Sequence, residues 1–454
     1  MASHTRDLTE GPVWKALAVM SAPMSLGILA VLSVGLADAY FLGLIGGTAL
    51  AAVGFIYPVT AAITSLSIGL AAGANAAVSQ AIGRKESETA AQRIGAHALG
   101  LGVALAITVA LVLYFAFPLL FAALGASDAV LTEIRAFMPW WCLSYPFLVS
   151  SMLINALFRA HGDSNVSAAL MVTESLFNIA LTPALIFGWW IIPGFETAGA
   201  AMATFIARMT MAGAAVTYAV HKDLLGLCND LTKNFATSLK ELTKVGAPAA
   251  ASNAINPAGM ALVTAAVATV GEAAVGGFGA ATRIQSIVLV PLLALSSGIG
   301  PVVGQNWGAG ERGRAAKGLQ AAYAFCLAYG VLVGAVLLVF AEPLGGLLAN
   351  GGDAAGYAAT YLRIVGFSMF GYGFVVVTNA AMNARSKAAW SMGLSLGRIA
   401  LLYLPGAWLG VMTLGYVGVT FAAVVANVVA AAAAVWAASA TGLLRPQALR
   451  ATFA

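Results

Sequence analysis

The sequence predicts an all-α integral membrane protein with about twelve transmembrane helices in two pseudo-symmetric six-helix lobes. Three observations lead there. The 454 residues are 61% hydrophobic and only 9% charged, with a mean hydropathy of +0.92, outside the range of soluble domains. The apolar runs are too long, and too free of alternating polarity, for strands of a membrane barrel. They suit helices, which satisfy their own backbone hydrogen bonds in lipid. Finally, the chain repeats itself about 225 residues on.

The first run opens after a polar segment, MASHTRDLTEGPVWK, which is not a cleavable signal. At roughly 20 residues per span, the helical cores fall near 15–43, 50–82, 93–124, 136–158, 165–188 and 198–220. The second half places them near 245–270, 276–306, 316–346, 359–383, 389–412 and 418–440. The first two runs meet at Gly46-Gly47. Small residues abound, with 50 glycines, and they let membrane helices approach closely.

The loops alternate in charge. One set carries Arg6 and Lys15; Arg84, Lys85 and Arg93; Arg159; Lys222, Lys233, Lys240 and Lys244; Arg312, Arg314 and Lys317; Arg385 and Lys387; Arg445 and Arg450. The other carries little beyond Arg135 and Arg363. The positive-inside rule places the first set and both termini in the cytoplasm of a plasma (inner) membrane. Trp140, Trp141, Trp189 and Trp190 then form an outer aromatic belt.

One long polar connector, 221–242, divides an N-terminal lobe, 1–220, from a C-terminal lobe, 243–454. A 225-residue shift sets Ala22-Pro23 on Ala247-Pro248, and Gly46, Gly54, Gly73, Gln80 and Gly83 on Gly271, Gly279, Gly298, Gln305 and Gly308. Later helices match at slightly shorter offsets, as Asn155-Ala156 does with Asn379-Ala380. Duplicated halves with a substrate path between them are typical of secondary transporters.

The halves differ where polarity matters. Asp38 falls on Val263, the run Glu174 to Asn178 on Leu394 to Arg398, and Thr204 on Ala423. A charge at bilayer depth costs about 2.5–3.5 kcal/mol on insertion scales, so it usually faces a cavity and has a function. Asp38 has no basic residue near it in sequence. Glu174, Asn178 and Thr182 form one helical stripe at i, i+4 and i+8. If that stripe faces Asp38, the N-lobe encloses a polar pocket whose carboxylates respond to desolvation and to each other. Such a pocket suits proton coupling; oxygen-rich surroundings also suit sodium. Asn178, Thr182 and Thr204 either line this pocket or make ordinary interhelical hydrogen bonds. Tyr145 is either a lining or a structural residue. Asn155, Asn253, Asn256, Asn379 and Asn383 are candidates for the substrate path. Pro23 is either a static kink or a hinge.

No nucleophile elbow, phosphate loop or paired histidine ligands occur in a credible context, so no enzyme is expected. Cys142, Cys228 and Cys326 lack metal or redox spacing. The dispersed histidines His4, His97, His161 and His221 suggest no metal site, and no cofactor is expected beyond the coupling ion.

Several segments together resemble the multidrug and toxic compound extrusion (MATE) transporters over nearly the whole chain. They are Asp38 followed by FLGLIGGTALAAVGF, GLAAGANAAVSQAIGRK, NALFRAHGDS at 155–164, NIALTPALIFG at 178–188 and AGAAMATFIAR at 198–208. The resemblance implies two lobes around a central cleft, alternating access, and export of cationic amphipathic compounds against protons or sodium. It implies that Asp38 is the coupling carboxylate, with Asn178, Thr204 and Tyr145 beside it, and that Pro23 bends the first helix. The chain departs from many relatives in carrying Thr182 where they have an aspartate, and its seventh and tenth helices carry asparagines instead of acidic residues. It therefore looks more like the DNA-damage-inducible branch, and protons are the expected coupling ion, with sodium the alternative. Small cationic solutes and membrane lipids are the expected partners of a monomer, with no nucleic acid. A lipid-linked precursor flippase of the same superfamily is a rival reading. It calls for a strongly cationic cavity, whereas Arg208 and Arg398 are the candidates here for buried arginines.

Overall fold

The computed structural model describes residues 6–190, 193–226, 231–348 and 352–444. His4, Cys228, Arg445 and Arg450 lie outside the described residues. The chain is a multi-pass helical membrane protein. Its first six helices are α1 (Val13–Ile45), α2 (Gly47–Gly83), α3 (Glu88–Ala123), α4 (Asp128–Ala160), α5 (Ser164–Phe187) and α6 (Glu196–His221). The second half is more broken. It holds α7 (Phe235–Ala268), α8 (Glu272–Val288), α9 (Val290–Gly308), α10 (Arg312–Leu348), α11 (Gly352–Val365), α12 (Met369–Ala384), α13 (Ala388–Leu396), α14 (Leu404–Leu414) and α15 (Tyr416–Ala440). From Phe235 on, the expected polar connector is already helical.

The breaks have local causes. The α8–α9 pair bends by 43°, where Pro291 at the start of α9 cannot continue the hydrogen-bond ladder. A 3₁₀ turn at Gly366–Ser368 joins α11 to α12. A π-helical turn, Gly397–Tyr403, joins α13 to α14. Taking each broken set as one span gives twelve crossings among the described residues. Ten of these spans, and the bent α8–α9 pair as an eleventh, are apolar enough to cross by composition. α7 is the exception, because Asn253, Asn256, Pro248 and Pro257 dilute it.

Each half has its own apolar core, but the cores interlock. Leu8, Leu17 and Met20, from the start of the chain, pack in the core of the second half. Leu242, on the first turns of α7, packs in the core of the first half. Close approach is built from glycine. The space beside Gly69 and Gly73 on α2 is filled by the α7 backbone at Leu242, Gly246 and Ala250. The space beside Gly298 on α9 is filled by Ser21 of α1.

The repeat-related glutamines close this seam. Gln80 Nε2 donates to the Ala384 carbonyl at 2.7 Å and to Ser386 Oγ at 3.1 Å. Its counterpart Gln305 donates to the Ala160 carbonyl at 2.8 Å. Each side chain thus caps a helix end of the opposite half. Gly83 lies against the Gln305 backbone and Gly308 against the Gln80 backbone, with no room for a Cβ. The N-terminal strap crosses the same end: Leu8 N donates to Gln305 Oε1 at 2.9 Å, and Arg6 N to the His161 carbonyl at 2.9 Å. The halves are therefore locked together at the end bearing Arg84, Lys85, Arg385 and Lys387. At the other end, the joints Gly46-Gly47 and Gly271 have open space around them.

α1 runs unbroken through Pro23. Proline cannot donate to the carbonyl four residues back, here Val19. Ser164, at the start of α5, donates its hydroxyl to that carbonyl at 2.9 Å. This places the serine of the NALFRAHGDS segment at the weak point of α1. The tryptophan belt is only partly as expected. Trp189 and Trp190 are exposed, but Trp141 is buried and stacked on Tyr145, where the ring fills the core between α2 and α4.

Candidate functional site

The N-lobe brings Thr182 and Asn178 of the expected stripe together with Asp38. Asp38 lies on α1, half-buried, and accepts a hydrogen bond from Thr182 Oγ1 of α5 at 3.3 Å. That one hydroxyl proton is shared with the Asn178 carbonyl, 3.0 Å away and one turn earlier. Asn178 Nδ2 donates to Thr204 Oγ1 of α6 at 3.1 Å. Three helices are thus joined by one chain of short polar side chains, and both Asn178 and Thr182 are buried. Glu174, two turns before Thr182, is half-buried on the same helix.

The sequence reading did not place Arg208 at this site. Arg208 sits one turn after Thr204 on α6 and lies within electrostatic reach of Glu174, Asp38 and Tyr145. Its Nη1 donates to Ser144 Oγ of α4 at 2.8 Å. No carboxylate contacts it directly: among the described residues the ion pairs are Arg84–Glu86 and Arg363–Glu342, both at exposed positions. The cluster therefore holds two carboxylates and one guanidinium, for a formal charge of −1. The i, i+4 spacing of Thr204 and Arg208 was the available signal.

Tyr145 belongs to the frame of this site. It is 1% exposed. Its hydroxyl bonds Ser67 Oγ at 2.9 Å and the Ile63 carbonyl at 3.0 Å, both on α2. Asn155 is buried within the N-lobe with an unpartnered Oδ1.

Some of the C-lobe asparagines join two polar chains. Asn379 Nδ2 donates to Ser395 Oγ at 3.0 Å, and Ser395 Oγ lies 2.6 Å from Ser252 Oγ. The second chain centres on Arg398, on the π-helical turn, a backbone form frequent at functional sites. Arg398 Nη2 donates to Asn256 Oδ1 at 2.6 Å and Nη1 to Asn427 Oδ1 at 3.1 Å. Asn427 Nδ2 in turn donates to Ser368 Oγ at 3.0 Å. The guanidinium lies 5.0 Å from the centre of the Tyr372 ring. Asn253 donates to the Ala249 carbonyl of its own helix at 2.8 Å, and Asn383 Oδ1 is buried without a partner. The sequence reading also passed over Arg283. This residue is exposed on α8, and an arginine exposed on a span favours a watery cavity over lipid.

Two interlocked helical halves, locked at one end, with polar clusters inside an apolar bundle, define a secondary-transporter architecture. The MatE family model matches residues 23–184 and again 248–409, so it recovers both halves. The chain belongs to the MatE family of membrane transporters, and these proteins are not enzymes. It is 33% identical over 423 residues to the FAD transporter of Shewanella oneidensis, covering 92% of this chain and 93% of that protein. It is 24% identical over 432 residues to the multidrug export protein MepA of Staphylococcus aureus, covering 94% and 93%. Among solved structures it resembles the Vibrio cholerae MATE transporter VcmN in the bent form, with a TM-score of 0.89, 29% identity, and coverage of 96% and 98%.

Proposed function

We propose that this protein is a secondary active exporter in the plasma (inner) membrane, with both termini cytoplasmic, which exports cationic amphipathic compounds by antiport with protons. The hydrogen bond from Thr182 to Asp38 carries the reading, because it ties α1 to the α5–α6 polar chain. α1 is also the helix that leans on α9 of the other half. Protonating Asp38 takes the cluster from −1 to neutral and removes its attraction to Arg208. The hold of α5 and α6 on α1 weakens, and the balance between the two access states shifts. Proton and cargo need not share atoms; each needs only to prefer a different state. With the Lys/Arg-rich end cytoplasmic, the locked seam faces the cytoplasm and the cleft opens outward. Neither cofactor nor nucleic acid enters this cycle, and the monomer is the working unit.

A second reading of the cargo is an anionic flavin dinucleotide. It is favoured by the name of the 33%-identical relative and by the exposed Arg283 and buried Arg398 in the C-lobe. Proteoliposomes test both readings. Ethidium and FAD efflux are followed under a pH gradient and, separately, a sodium gradient, for wild type and Asp38→Asn. A pH gradient alone is expected to drive transport. Asp38→Asn is expected to reduce it by at least about tenfold, the scale of a typical coupling free energy between two sites. Transport driven by sodium alone would overturn proton coupling. FAD efflux without ethidium efflux would replace the cationic cargo with the anionic one.

A further inference from the structure

We infer that Arg398 is a binding site for the anionic group of an organic solute with an apolar, aromatic body. This rests on the flavin-type cargo reading above and not on the identity of the coupling ion. A guanidinium is an obligate cation with five N–H donors. Arg398 is 8% exposed and places two hydrogen bonds, both on neutral asparagines. The other groups that act on it electrostatically are Tyr361, Tyr372 and Tyr403. A buried charge without a counter-charge is costly. The N-lobe meets that cost for Arg208 with Asp38 and Glu174; the C-lobe has Val263 and Leu394 at the corresponding positions. A bound anion supplies the missing charge.

One further feature fits such a ligand. Arg398 also lines an open groove of about 590 Å³ whose other walls include Trp390, Leu394, Leu401 and Trp436, with Leu401 and Trp436 themselves largely exposed. That volume lies within the range of small-molecule sites, about 300–1,000 Å³. Its walls are apolar, and its cation is Arg398. Aromatic and aliphatic walls take the body of the solute, and the guanidinium takes its phosphate or carboxylate, the geometry for which arginine is best suited.

Flavin mononucleotide and riboflavin test the inference, because they differ by one phosphate. Binding to the purified full-length protein is read from quenching of flavin fluorescence. Wild type is expected to prefer the mononucleotide by at least about tenfold, the size of one charge-assisted contact. Arg398→Gln is expected to bring that preference below about twofold, and Arg398→Lys to retain part of it. Size-exclusion profile and melting temperature establish that each variant is folded. If Arg398→Gln does not fold, Arg398→Lys decides: an unchanged preference there overturns the inference. Loss of preference in Arg283→Gln with retention in Arg398→Gln also overturns it, and leaves the flavin cargo reading standing. If wild type binds neither flavin and exports no FAD, the cargo reading fails and this site fails with it.

Discussion

The two halves share a fold but bury their charge in opposite arrangements. In the N-lobe the fifth helix carries Asn178 and the sixth carries Arg208. The shift that sets Ile179 on Ile399 sets Asn178 on Arg398, and the shift that sets Thr204 on Ala423 sets Arg208 on Asn427. Arginine and asparagine have exchanged helices. The N-lobe arginine has Glu174 and Asp38 within electrostatic reach. The C-lobe arginine has two asparagines and an aromatic ring. Duplication thus preserved the framework, while the buried charge diverged into a net-negative and a net-positive pocket. A net-negative pocket is suited to binding a proton or a metal cation, and a net-positive one to holding an anion.

The largest expected break of this asymmetry is Asp38→Asn, which removes the titratable charge and is expected to cut gradient-driven efflux by at least about tenfold. Next comes the seam both halves share. Gly83→Val places a branched side chain against the Gln305 backbone. It is expected to force the locked end apart and lower the population of the cleft-open state several-fold, because backbone overlap cannot be relieved by a rotamer change. Spin-label distances across the Gln80–Ala384 contact measure this, and an unchanged distance distribution would count against the seam as a lock.

A third test concerns charge balance. Arg208→Met leaves Asp38 and Glu174 without the cation that acts on both. Adding Glu174→Gln is expected to restore part of the lost thermal stability, with a coupling of about 0.5–3 kcal/mol. Strictly additive melting shifts would mean that Arg208 does not act on Glu174. The smallest effect belongs to Ser164→Ala, which strips the Val19 carbonyl of its donor. A loss of about 1 kcal/mol is expected, seen as faster hydrogen exchange around Pro23. An unaltered exchange pattern would show that water replaces the serine without penalty.

How much of this was legible beforehand differs from residue to residue. Asp38, Asn178, Thr182 and Thr204 were all identifiable because each is polar in an apolar run, and the structure joins them in one hydrogen-bonded chain. Arg208 was visible as an intramembrane arginine but was not assigned to this chain, although its spacing of four from Thr204 puts both on one face of α6. Tyr145 reads equally as lining or frame until its hydroxyl is seen on Ser67 and Ile63. Ser164 carried no signal of its own. Its role depends on a carbonyl freed by a proline 141 positions earlier.

By itself, the sequence determined the class of fold, the duplication and the polarity of each half. Hydrophobic length and internal repetition are one-dimensional properties, and lipid leaves a chain with such runs few alternatives to helices. Tertiary structure decided which charges share a pocket, how the halves exchange their first turns across the seam, and that Gln80 and Gln305 each cap the opposite half. These depend on helix rotation and approach, which are set by glycine contacts and side-chain packing between segments far apart in the chain.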